Sequence, residues 1–92
     1  MSAPLFPLGQ VVATPAALDA LQSAGDDVAA YLIKHVTLDP GDLSKPDIAE
    51  NWLSLREGFR ILSAYTLSNG VKIWVITEAD RSSTCLLLPD EY

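Results

Sequence analysis

The last third of the chain, Phe59 to Tyr92, limits the possible folds more than any other segment. It reads as three apolar runs, FRILSAYTLS, VKIWVITEA and STCLLLP, separated by Asn69-Gly70 and by Asp80-Arg81-Ser82. β-Branched and aromatic residues fill the runs and turn formers fill the gaps, so the block predicts a three-stranded antiparallel β-meander. Asn-Gly tolerates positive φ at both central positions of a type I′ turn, so a two-residue loop is expected to pair Ser68 with Val71. That register sets Tyr65 opposite Trp74, Ser63 opposite Ile76, Leu62 opposite Thr77 and Ile61 opposite Glu78. One face then carries Phe59, Ile61, Ser63, Tyr65, Leu67, Trp74 and Ile76. The other carries Arg60, Leu62, Ala64, Thr66, Ile73, Val75 and Thr77. Both are apolar at their centres, which is more than three short helices readily cover. The second face, or a sheet edge, is therefore expected to meet another subunit or a partner.

Upstream of the meander the signals are helical. Thr14 and Pro15 suit N-cap and first-turn positions, and Gly25 suits a left-handed C-cap. Asp26 or Asp27 caps a second helix with Val28, Tyr31, Leu32 and Val36 as its apolar stripe. Pro40-Gly41 marks a turn, and Ser44 with Asp47 resembles a capping box for a third helix ending at Gly58. Ile48, Trp52 and Leu55 are expected to face inward there, and Glu50, Asn51, Ser54 and Glu57 outward. Residues 1–13, with Pro4 and Pro7, form an extended arm in which Gln10 to Ala13 suits a short edge strand. The expectation is one α+β domain over residues 1–92. It has an arm (1–13), three short N-terminal helices (14–57) and a C-terminal three-stranded antiparallel sheet (58–92).

Ninety-two residues bury a modest core, and a net charge of −6 argues against binding a phosphate backbone. Cys85 is the single cysteine, so neither an internal disulfide nor a cysteine-based metal site is expected. Its apolar neighbours suit a buried, unreactive thiol. No signal-peptide pattern or membrane-length apolar run is present, which points to the cytoplasm. Nucleotide-binding glycine patterns, a nucleophile elbow, paired histidines and a calcium loop are absent, and no cofactor or metal is expected.

The residues still permit a catalytic alternative. His35, the only histidine, together with Arg60 or Arg81 supplies the parts of a small metal-independent ribonuclease or toxin. A second alternative is a nucleic-acid mimic that inhibits a host defence enzyme. Residues 14–57 carry eight acids against Lys34, Lys45 and Arg56. The mimic requires Asp26, Asp27, Asp39, Asp42, Asp47, Glu50 and Glu57 to form one acidic surface. The polar turn from Thr77 to Thr84 reads either as self-bonded turn chemistry or as a recognition loop presenting Arg81.

From Val36 onward the chain resembles a family of small uncharacterised proteins carried by plasmids and integrative elements of Gram-negative bacteria. The resemblance lies in GDL (Gly41–Leu43), Asp47, Asn51, SLREGFRILSAY (Ser54–Tyr65), KIWVITEADRSST (Lys72–Thr84) and LLLPDEY (Leu86–Tyr92), with a weaker match at VVATPAAL (Val11–Leu18). Some members are labelled as related to type I restriction–modification, but no methyltransferase domain fits in this length. The resemblance implies a cytoplasmic accessory role for a mobile element. Together with the residues it favours a non-enzymatic protein that binds itself, as a homodimer, or a partner protein through its sheet. Direct nucleic-acid or membrane binding is not expected. The interaction surface expected is Leu62, Ala64, Ile73, Val75, Glu78, Asp80 and Arg81.

Overall fold

The computed structural model describes residues 3–92. Its elements, in chain order, are β1 (Gln10–Ala13), α1 (Pro15–Ala24), α2 (Val28–Val36), α3 (Lys45–Glu57), β2 (Ile61–Thr66), β3 (Lys72–Thr77) and β4 (Ser83–Leu87). A 3₁₀ turn over Pro89–Glu91 follows. The expected three-stranded antiparallel meander is incorrect. The sheet has four strands in the order β1-β4-β3-β2, and β1 pairs with β4 in parallel. Backbone bonds from Gln10 to Ser82 and from Thr14 to Leu86, both 3.0 Å, seat the N-terminal strand beside the last one. The start of the arm, residues 1 and 2, lies outside the described residues.

The helices begin and end for local reasons. The hydroxyl of Thr14 accepts from the Ala17 amide (3.1 Å), the Asp27 carboxylate accepts from Ala29 (3.0 Å), and Ser44 shares two bonds with Asp47. α2 closes through bonds from Asp39 to the Lys34 carbonyl and from Leu38 to that of His35, with Leu38 held at φ +56°. This is the helix-ending motif usually built on glycine. Leu38 adopts it while packing with Phe6, Val36 and Ile61 in the core.

The β2–β3 hairpin differs from expectation by one residue. Leu67 pairs with Val71, and the Gly70 amide returns to the Leu67 carbonyl at 2.9 Å. Of the two turn residues only Gly70 has positive φ (+85°). The loop is therefore the three residues Ser68, Asn69 and Gly70, a type I turn followed by a left-handed glycine. A one-residue slip moves a whole strand's side chains to the other face. Ala64 now opposes Trp74 and Tyr65 opposes Ile73. Ile73, Val75 and Thr77 join Ile61, Ser63, Tyr65 and Leu67 on the inner face, where all are at most 3% exposed. Trp74 and Ile76 move to the outer face with Leu62 and Ala64.

That redistribution removes half of the apolar excess. α1 and α2 cover the inner face through Ala17, Leu21, Val28, Tyr31 and Leu32, and the arm adds Phe6 and Leu8. Asp26, at the α1–α2 joint, accepts from the Ser68 amide (2.8 Å) and the Tyr31 hydroxyl (2.6 Å), which fixes the hairpin tip against the helices.

α3 keeps Leu55 against the core and Glu50 and Glu57 outward as expected, but is rotated from expectation at three positions. Asn51 and Ser54 are buried, whereas Trp52 is 51% exposed. The Asn51 amide donates to the Leu62 carbonyl and accepts from the Leu62 amide (3.1 Å), so one side chain stands in for a neighbouring strand along the β2 edge. The loop before α3 extends this closure. Gly41 bridges to Ala64, and the Asp42 amide donates to the Ala64 carbonyl (2.8 Å). A Cβ at Gly41, which has φ +55°, would overlap that carbonyl and the Tyr65 ring. Replacing Asn51 with Asp leaves an acceptor facing the Leu62 carbonyl. Asn51→Asp is expected to lose roughly 2 kcal/mol in chemical denaturation at neutral pH, and an unchanged midpoint would refute the edge-capping role.

Candidate functional site

His35 lies inside the protein, fully buried, and both ring nitrogens are bonded. The hydroxyl of Thr84 donates to the Leu8 carbonyl (2.8 Å), so it accepts from the Thr77 hydroxyl (2.7 Å). Thr77, its proton committed, accepts from His35 Nε2–H at 2.8 Å, and Nδ1 takes the Ser63 proton at 2.7 Å. The network thus dictates a neutral imidazole protonated on Nε2. The edge of the Phe6 ring packs against it at 5.2 Å. Burial, with a smaller contribution from the Arg81 charge, lowers the pKa from 6.5 to about 4. Arg60 is on the opposite side of the sheet, over the Tyr92 ring at 5.0 Å. His35 and Arg60 share no cleft, and the enclosed imidazole has no lone pair free for a substrate.

Arg81 is equally committed. Its guanidinium donates to the carbonyls of Phe59 (2.7 Å), Glu78 (3.1 Å) and Ser54 (3.1 Å), and stacks over Phe6 at 5.6 Å. It joins the C-terminal end of α3, the β3–β4 turn and the arm, and its charge suits the negative end of the helix. Its backbone holds φ +61°, an uncommon conformation for a residue with a side chain. Asp80 accepts from the Ser82 amide (3.0 Å), and the Ser82 hydroxyl first, then this amide, lower its pKa. Among the described residues the only ion pair is Arg56–Glu57, so Asp80 and Arg81 form none. The polar groups of the turn are thus bonded within it and to α2, α3 and the arm.

The predicted interaction residues do not form one surface. Ile73 and Val75 are completely buried beneath the helices, Arg81 is a tie between elements, and Glu78 and Asp80 sit on an exposed turn. Leu62 and Ala64 alone remain on the outer face. There they join Trp74, Ile76, Cys85 and Leu87, with Val12 at the β1 end. Tyr92 reaches back from the 3₁₀ turn to pack against Trp74 at 5.6 Å. The 3₁₀ turn and Tyr92 pack onto β3 from this side, Ile76 and Leu87 are buried, and Leu62, Ala64, Trp74 and Cys85 are half-buried. Charges of both signs border it, Arg60 and Lys72 from the strands and their approach, and Glu78 and Glu91 near Cys85. Cys85 is half-buried within it. Burial first, then Glu91 and Glu78, raise its pKa, so the thiolate is disfavoured.

Beside this face, between α3 and the start of β2, runs a cleft of about 340 Å³ lined by Asp47, Glu50, Asn51, Ser54, Phe59, Arg60 and Leu62. It is the one place where Arg60 meets carboxylates of the helical half. The other acids of the proposed mimic surface are distributed among caps and turns. Asp26 serves the hairpin tip, Asp27 caps α2, Asp39 accepts from the Gly41 amide, and Asp42 accepts from the Thr66 hydroxyl. No group of three or more potential metal ligands occurs among the described residues. No helix among them is long and apolar enough to cross a membrane.

Sequence reasoning missed Asn51, the hydroxyls around His35, and the outer aromatic pair Trp74–Tyr92. A mid-helix Asn in a helix with little apolar periodicity is a legible sign of a tertiary bond, because Asn has no intrinsic reason to be there. The threonines gave no sign, since Thr is ordinary in strands. No family model, curated protein or solved structure matches the chain.

Two predictions follow from this geometry. A histidine whose folded pKa is depressed stabilises the fold fully above its unfolded pKa, and that contribution falls as pH drops toward the folded value. Between pH 6.5 and about 4 the wild type should lose on the order of 3 kcal/mol. His35→Gln should be less stable at pH 7 but lack that slope; an identical slope in both proteins would exclude His35 as its source. For Arg81, Arg81→Ala should cost roughly 2–3 kcal/mol, and Arg81→Gly about 1 kcal/mol less because glycine accepts the positive φ. Unchanged stability in Arg81→Ala would return Arg81 to the role of a free recognition residue.

Proposed function

We propose that this protein is a non-catalytic interaction module that docks a partner protein on the outer face of its sheet. The observation that carries this reading is the apolar outer face, half-exposed at Leu62, Ala64, Trp74 and Cys85 and exposed at Val12 and Tyr92. Leu62, Ala64, Trp74 and Cys85 form an aliphatic and aromatic surface, extended by Val12 and Tyr92 and bordered by Arg60, Lys72, Glu78 and Glu91. Aromatic and arginine side chains of this kind dominate protein–protein hot spots. The commitment of His35 and Arg81 to internal bonds supports a binding role over a catalytic one. The resemblance to accessory proteins of plasmids and integrative elements supplies the setting, in which a small module serves the element by engaging a cytoplasmic protein.

The test is comparative cross-linking and co-purification from the native host. Ala64→Arg and Cys85→Arg each place a cation and its bulk on the outer face, at half-buried positions outside the helix-covered core. With melting temperatures near wild type, both variants should lose the same co-purifying protein that the wild type retains. Retention of that protein by both folded variants, or the absence of any outer-face cross-link in the wild type, would refute the assignment.

A further inference from the structure

The two edges of the sheet are treated oppositely. The β2 edge is closed by Asn51 and by the Gly41–Asp42 loop. β1, at the other end, has β4 as its single neighbour. Gln10 and Thr14 point their amides toward β4, so by the alternation of a strand Val11 and Ala13 direct their N–H and C=O groups outward. Those groups have no partner among the described residues. Edge strands in soluble proteins are commonly protected by lysine, proline or a bulge, and β1 (Gln-Val-Val-Ala) has none of these.

From this geometry we infer that β1 pairs with β1 of a second copy of this chain, antiparallel across a two-fold axis at Val12, joining two four-stranded sheets into one of eight strands. Three observations commit the edge to a second copy. First, the strand is self-complementary. With Val12 opposite Val12 of the other copy, Val11 and Ala13 exchange both N–H···O bonds with Ala13 and Val11 of the other copy, which satisfies every outward group of the strand. Second, residues 3–18 contain no ionisable side chain. The strand itself therefore opposes no like charges when two molecules of net charge −6 approach, Glu91 on the Thr14 hydroxyl (2.7 Å) bordering one end, whereas the helical half with its eight acids would repel its equal.

Third, the apolar area is in the right place. A four-residue strand pair alone is too small for a stable dimer. Of the nine large apolar residues exposed among the described residues, five belong to the arm, β1 and the two following helices: Leu5, Val11, Val12, Leu18 and Ile33, each 42–60% exposed. Val11, Leu32 and Ile33, with Pro4 and Leu8 of the arm, also line an apolar groove of about 450 Å³ on the helix side of β1. An added strand presents alternate side chains to that side, as in recognition by strand addition. Apart from Val12, which the outer face shares, this surface lies along the β1 edge and its helix side, so a change at Val11 tests dimerisation apart from partner docking.

Sedimentation equilibrium over roughly 1–500 µM should show a monomer–dimer equilibrium. Val11→Pro deletes only an outward amide and leaves the β4 ladder whole. It should keep the fold and weaken dimerisation roughly 10-fold or more. Val12→Pro deletes an amide of the β1–β4 ladder and should lower the melting temperature instead. Amide hydrogen exchange on the wild type provides the reading that needs no variant. Val11 and Ala13 should be protected at dimer concentrations and exchange freely on dilution, while Val12 stays protected in both. A strict monomer at the highest concentration would overturn the proposal. So would a dimer undiminished in folded Val11→Pro, or one whose Val11 and Ala13 amides exchange freely. Loss of dimer in Val11→Pro with outer-face cross-links intact separates this result from the partner-docking reading.

Discussion

Five elements meet at one imidazole. Ser63 on β2, Thr77 on β3 and Thr84 on β4 turn their hydroxyls inward, and His35 of α2 links the first two directly. Thr84 passes the chain on to the Leu8 carbonyl of the arm. A row of buried hydroxyls in an apolar layer is costly unless each proton and lone pair finds a partner. Here none is left without one among the described residues. The network therefore does more than tolerate polar groups. It specifies the three-strand alignment, because a slip of one residue would take the hydroxyls to the other face and strand the histidine. The Phe6 ring and the Arg81 guanidinium above it close the layer from the arm side.

Much of the architecture was legible in the chain, and the failures share a cause. Helix starts at Thr14, Asp27 and Ser44 and stops at Gly25 and Gly58 are set by bonds within a few residues, so they can be read locally. Asn69-Gly70 correctly located a hairpin, yet the dipeptide serves either a two-residue or a three-residue loop. The choice between them depends on which register buries Ile73 and Val75 and lets Thr77 reach His35. Such information is tertiary. The parallel partner of β1 is likewise invisible locally, because Gln10 and Ser83 are distant in sequence. The orientation of α3 could have been questioned from sequence. Asn51 and Ser54 form a polar stripe that has a purpose only beside an unpaired strand.

Four residues among the motifs read from the sequence serve as structural locks. Gly41 fits against the Ala64 carbonyl, Asp47 caps α3 with Ser44, Asn51 covers the β2 edge, and Arg81 ties α3 to the last turn. Each meets a demand of geometry that few other side chains satisfy. The outer face, formed from alternate residues of the same strands, lies within these motifs without determining them. What the candidate site lacked in the sequence was an identity of face, since apolar residues alternate on both sides and only the register separates core from surface.

The parallel pairing of β1 with β4 also has a consequence for how the molecule is made. Synthesis delivers Gln10 to Ala13 early, but their ladder partner, Ser83 to Leu87, comes last. On the ribosome the first strand must wait, with its uncharged arm, until almost the whole chain has emerged. Sequence-distant contacts of this kind close late and slow folding. Until β4 is made, the nascent chain thus carries an unpaired, apolar segment open to chaperones or to misassembly with its neighbours on the same message. Moving that strand by circular permutation to follow β4 directly would turn the slowest contact in the protein into one of its most local.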